Sequence, residues 1–69
     1  MTINELATKL EYRAFEEWDT LLNKYSVMSD DGKTLDWSNY LSTELADITG
    51  FEGDKLDDYV DDVRNFIGV

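Results

Sequence analysis

The 69-residue chain has no cysteine, no histidine and no proline. Without cysteine there is no disulfide framework, and without cysteine or histidine the usual zinc and iron sites are excluded. The same absences rule out Ser-His-Asp and Cys-His catalysis. Basic residues are scarce: six Lys and Arg stand against 16 Asp and Glu, for a net charge of −10. A surface of that sign repels DNA, RNA and anionic lipid and speeds encounter with basic proteins, so neither direct nucleic-acid binding nor membrane binding is expected. No run of roughly 18 apolar residues is present, so no transmembrane helix is expected. Residues 1–10, MTINELATKL, lack the basic and apolar blocks of a signal peptide, and a cytoplasmic location is the expectation.

What remains is compatible with one small folded domain spanning residues 1–69. The chain is 42% hydrophobic and 13% aromatic, too rich for a disordered segment. A domain of this size buries only about 60% of the surface its unfolded chain exposes, so its stability rests on packing or on self-association. The charge is uneven. Residues 1–28 hold three basic and five acidic side chains, net −2, whereas residues 29–69 hold three and eleven, net −8.

Helical periodicity dominates. Thr2 and Glu5 match a capping box, with Met1 and Leu6 placed as a hydrophobic staple. Ile3, Leu6, Ala7, Leu10, Ala14, Phe15, Trp18, Leu21, Leu22 and Tyr25 then recur on one face, which predicts a single helix over about 3–25. Asp31-Gly32 is a turn signal. Segment 26–35 is expected as an irregular loop, with a short hairpin as the alternative. Asp36 is placed to cap a helix near 37–49, with Leu35 and Tyr40 as its staple. Trp37, Tyr40, Leu41, Leu45 and Ile48 would form its buried stripe, and Gly50 its C-terminal stop. Asp54 is placed to cap a last helix near 54–67, ended by Gly68. The expected fold class is therefore all-α, a compact three-helix bundle.

No constellation supports an enzyme. No glycine-rich phosphate loop is present: GFEGD lacks the lysine and the preceding strand. Carboxylates abound, but an acid/base pair needs a cleft that separates its two pKa values, which three short helices rarely enclose. The stretch SDDGKTLDWSNYL resembles half of an EF-hand calcium loop and its exit helix. With Leu35 at the central apolar position, Lys33 replaces the required glycine, Asn39 the bidentate glutamate and Met28 the first aspartate, so the ligand set fails. The chain is also similar in size, acidity and helix content to acyl carrier proteins. Their Asp-Ser-Leu carrier motif is missing; the nearest stretch, Asp36-Trp37-Ser38, has a tryptophan inserted. No cofactor or metal is expected.

The sharpest feature is GDKLDDYVDDVRNF, residues 53–66. At helical spacing Leu56, Tyr59, Val60, Val63 and Phe66 make one stripe. Asp54, Asp57, Asp58, Asp61 and Asp62 make the opposite one, within an arc of about 140°. The pairs 54/58, 57/61 and 58/62 are like charges at i,i+4, each costing a helix about 0.2–0.5 kcal/mol. Aspartate is also a poorer helix former than glutamate or lysine. The helix dipole compensates only the first turn. A face selected for solubility alone usually mixes signs. Local rules are most often broken at functional sites, and this stripe is expected to be a partner-binding face, extended by Asp30 and Asp31. Tyr12, flanked by Glu11 and Arg13 and off the buried stripe, is a candidate anchor, as are Trp37 and Met28.

By size, charge and helix content over its whole length the chain resembles small phage-encoded inhibitors, a set that includes nucleic-acid mimics and anti-CRISPR proteins. The resemblance implies a stoichiometric inhibitor in the host cytoplasm. It would occupy the basic nucleic-acid-binding surface of a host protein, because carboxylates spaced about 5–6 Å along a helix approximate successive phosphates. From a different class, a homo-oligomeric structural or assembly protein would use its aromatic residues to seal a homodimer and its acidic face only for solubility.

Overall fold

The computed structural model describes residues 2–69. Four helices and one hairpin follow in the order α1 (Ile3–Glu16), α2 (Trp18–Lys24), β1 (Ser26–Ser29), β2 (Gly32–Leu35), α3 (Trp37–Thr49) and α4 (Gly53–Ile67). The fold is thus mostly helical but not the expected all-α three-helix bundle, and it is corrected in two places.

The first correction is the split of the predicted 3–25 helix. Glu17 closes α1, donating its amide to the Arg13 carbonyl at 2.9 Å, but its ψ of +32° departs from the helical value. Its own carbonyl accepts from Leu21 at 2.9 Å, so α2 restarts after a single residue. The apolar spacing runs through unbroken, which is why periodicity alone shows one helix. The break lets α2 turn and pack against both strands. Phe15, expected in the core, is 66% exposed beside this break and stacks on Trp18 at 6.5 Å with 10° between rings.

The second correction is the hairpin. β1 and β2 pair antiparallel in the register Ser26↔Leu35, Val27↔Thr34, Met28↔Lys33 and Ser29↔Gly32, so segment 26–35 is the alternative hairpin rather than an irregular loop. The connecting pair is Asp30-Asp31, not Asp31-Gly32. Neither aspartate has positive φ, while Gly32 sits at φ +116°, which an L side chain rarely adopts. The glycine therefore works in the first position of β2, where the twist of the strands is absorbed. Tyr25 and Asp36 close the base, the Asp36 amide donating to the Tyr25 carbonyl at 2.8 Å.

Helix boundaries otherwise follow their caps. The Glu5 amide donates to Thr2 Oγ1 at 3.2 Å, and the Asn39 amide to Asp36 Oδ1 at 3.2 Å. The Thr2 hydroxyl itself donates to the Glu5 carboxylate at 3.2 Å, so the reciprocal half of the box differs from expectation. The Met1 side of the staple lies outside the described residues. Gly50 and Gly68 end α3 and α4 in the left-handed conformation at φ +76° and +90°. Asp54 is not a cap: it lies in the first turn of α4, whose N-cap is Glu52 and whose start is the positive-φ Gly53.

The core gathers Leu6, Ala7, Leu10 and Ala14 of α1, Leu21, Tyr25 and Leu35, Tyr40, Leu41 and Leu45 of α3, and Val60 and Val63 of α4. α4 packs against both α1 and α3. The three-residue link after α3 makes α3 and α4 an antiparallel pair. Arg64 near the end of α4 accordingly donates to Ser38 Oγ near the start of α3 at 2.9 Å. Across the core the fully buried Tyr40 donates its hydroxyl to the Leu10 carbonyl at 2.8 Å, tying α3 to α1. Ile48 and Phe66, both expected in buried stripes, are 48% and 50% exposed.

Candidate acidic interaction face

α4 owes its orientation to its apolar side. Val60 and Val63 are buried and Leu56, Tyr59 and Ile67 pack partly against the core. That fixes the rotation of the helix, and the 3.6-residue repeat turns Asp54, Asp57, Asp58, Asp61 and Asp62 to solvent together; all five are exposed. Five carboxylates thus share one face of a 15-residue helix.

No cation among the described residues pairs with that face. Among the described residues both ion pairs belong to Arg13, which binds Glu17 and Glu44 at 3.0 Å each. The Glu17 hydrogen bond raises the already high pKa of the Arg13 guanidinium further, so this cation is fixed. Lys55 turns its ammonium over the Phe51 ring, 4.3 Å from the centroid. Arg64 is occupied at the end of α4 by Ser38 Oγ and by the Val69 carbonyl at 3.3 Å. The two basic residues on α4 itself are therefore engaged elsewhere, and like-charge repulsion along the stripe is left, among the described residues, to solvent and counterions.

The other predicted site residues are not gathered on this helix. Asp30 and Asp31 form the exposed hairpin tip, on an element that packs against α2. Tyr12 is 68% exposed on α1 and walls a shallow groove with Asn4, Glu5, Thr8 and Lys9. Trp37 is half-buried, its ring edge-on to Tyr40 at 5.9 Å. Met28 is 80% exposed on β1. One neighbour of the acidic face escaped sequence reasoning. Phe66 follows Asp62 by four residues, so an exposed aromatic borders the carboxylates. Its signal was its place at the rim of the apolar arc rather than at its centre.

Among the described residues no group of three acidic side chains converges to hold a metal ion, and no helix is long and apolar enough to cross a membrane. In comparisons with known proteins no family model matches the chain, and no curated protein or solved structure is significantly similar to it.

Proposed function

We propose that the protein is a small binding protein that applies the acidic face of α4 to the basic nucleic-acid-binding surface of a partner protein, in the manner of a nucleic-acid-mimicking inhibitor of the anti-CRISPR kind. The observation that carries this reading is the set of five exposed aspartates on one helix face, unpaired with any cation of the described residues. A partner lined with lysine and arginine supplies the missing counter-charge. Association is then fast and salt-sensitive, because complementary potentials steer the encounter. Phe66 at the border of the stripe offers the apolar contact that charge alone cannot provide. The partner would be a protein of the host cell whose groove otherwise holds guide RNA or target DNA, and competition for that groove is the mechanism.

The test is capture from a host lysate on the immobilised chain, washed at low and at high salt. A nucleic-acid-binding protein retained at about 50 mM salt, released near 0.5 M and displaced by added nucleic acid is the expected result. Retention that ignores both salt and nucleic acid would refute charge mimicry.

A further inference from the structure

The open side of β1 is a second surface, independent of α4. In an antiparallel ladder residues alternate between those that exchange both backbone hydrogen bonds with the paired strand and those whose N–H and C=O point away. The Asp36 amide bonds to the Tyr25 carbonyl, so that carbonyl faces β2 and fixes the alternation along β1, although the Tyr25 amide still bonds back to Leu21 in α2. The register then makes Val27 and Ser29 the residues of β1 that bond to β2. The backbone groups of Ser26 and Met28 consequently face the open side, which no strand of the described residues covers. All four β1 residues are exposed, with Val27 at 43% and Met28 at 80%. Exposed edges of this kind are templates for a further strand.

The charges at the two ends of β1 point to its occupant. Lys24 precedes the strand, its ammonium 5.3 Å from the centroid of the Tyr25 ring, and Asp30-Asp31 follows it. A strand positive at its entry and negative at its exit is complementary to an antiparallel copy of itself. We propose that two copies of this chain pair β1 against β1 about a twofold axis at Val27, forming a four-stranded antiparallel sheet. In that register Ser26 of each copy exchanges backbone hydrogen bonds with Met28 of the other. Val27 meets its twin at a non-hydrogen-bonded position, where side chains approach most closely. Beyond the paired residues, the end of α2 that carries Lys24 in each copy comes alongside the Asp30-Asp31 tip of the other. The two neighbouring registers that also match outward-facing backbone groups are centred on Ser26 and on Met28. Each slides one copy by two residues, about 6.6 Å, so the Lys24 end of one copy and the acidic tip of the other no longer meet. The interface is isologous and closed.

The test is sedimentation of the full chain from about 10 μM to 1 mM, because a short strand pair gives a weak dimer. The parent sediments increasingly as a dimer over this range; a monomer throughout overturns the proposal. Met28→Pro removes an outward N–H while sparing the ladder to β2, and it shifts the midpoint at least tenfold upward with the helical circular dichroism unchanged. Lys24→Glu and Asp30→Lys each weaken the dimer about three- to tenfold, two ion pairs being lost by symmetry. The double variant Lys24→Glu/Asp30→Lys restores it. Single swaps without effect, or a double variant no better than the singles, overturn the register, and these arms hold even if the proline variant fails to fold. Charge reversal on α4 leaves the dimer intact, so this proposal and the proposed function fail separately.

Discussion

Tyr25 and Tyr40 pack against each other in the core with ring centroids 5.7 Å apart, yet loss of their hydroxyls should act in opposite directions. The Tyr40 hydroxyl is buried and donates to the Leu10 carbonyl at 2.8 Å. Removing it in Tyr40→Phe loses a hydrogen bond worth about 0.5–1.5 kcal/mol net. The Leu10 carbonyl keeps its partner within α1, so no acceptor is left bare and the loss should sit within that range. Tyr25 is only 4% exposed, and its hydroxyl oxygen has no hydrogen-bond partner among the described residues. Holding that group dry costs about 1–3 kcal/mol, and Tyr25→Phe removes the cost while keeping the ring. Tyr25→Phe should therefore stabilise by about 1 kcal/mol and Tyr40→Phe destabilise by about 1 kcal/mol. For a domain of this size those changes move Tm by about 4–8 °C each way. Urea unfolding followed by tryptophan fluorescence reads both, since Trp37 lies 5.9 Å from the Tyr40 ring. If Tyr25→Phe destabilises as much as Tyr40→Phe, the hydroxyl of Tyr25 is satisfied in solution and the assignment of one working and one idle hydroxyl is wrong.

Two further perturbations probe the frame. Gly50→Ala should cost about 1 kcal/mol: at φ +76° a Cβ meets no atom within 4 Å, so the penalty is purely backbone strain, and a neutral substitution in thermal melts would contradict it. Stability should also fall in alkali. Burial pushes the Tyr40 pKa from 10.0 up to about 12, with the nearby Arg13 charge opposing. The unfolded chain releases that proton first, so the contribution is whole below about pH 10 and is lost as pH rises to about 12, to a limit of about 2–3 kcal/mol. Tyr40→Phe should flatten that slope in urea titrations; an equal slope in the variant would place the titrating group elsewhere.

The helix ends were legible because they are written in local chemistry. Thr2, Asp36, Gly50 and Gly68 act through hydrogen bonds or dihedral angles within a turn of themselves. The break at Glu17 was not legible, because Leu10, Ala14, Trp18, Leu21 and Tyr25 keep helical spacing on both sides of it. Only the docking of α2 on the hairpin requires the bend. The hairpin was legible only as the alternative to a loop: four exposed residues in β1 give no burial alternation, and Gly32 stands one place after the connecting Asp30-Asp31 pair rather than inside it. Of the candidate site, the aspartate stripe followed from period alone, since burying Val60 and Val63 leaves those carboxylates nowhere but solvent. The engagement of Arg64 with Ser38 depends on tertiary packing and had no sequence signal, whereas that of Lys55 with Phe51, four residues away, is local to the start of α4. The same packing exposes Phe66 and Ile48, which lie where the helix stripes outrun the neighbours available to cover them.

The most direct measurement is the affinity of the triple variant Asp57→Lys, Asp58→Lys, Asp61→Lys for the protein that the parent captures, read beside the variant's thermal stability. Reversal turns the 54/58 and 58/62 repulsions into attractions on an exposed face and leaves 57/61 like-charged as before, a net gain, so the variant should melt at or above the parent temperature. Its binding should fall by about a hundredfold or more, because each lysine now faces a cation. Parental affinity in a stably folded variant would contradict a functional role for the acidic face of α4.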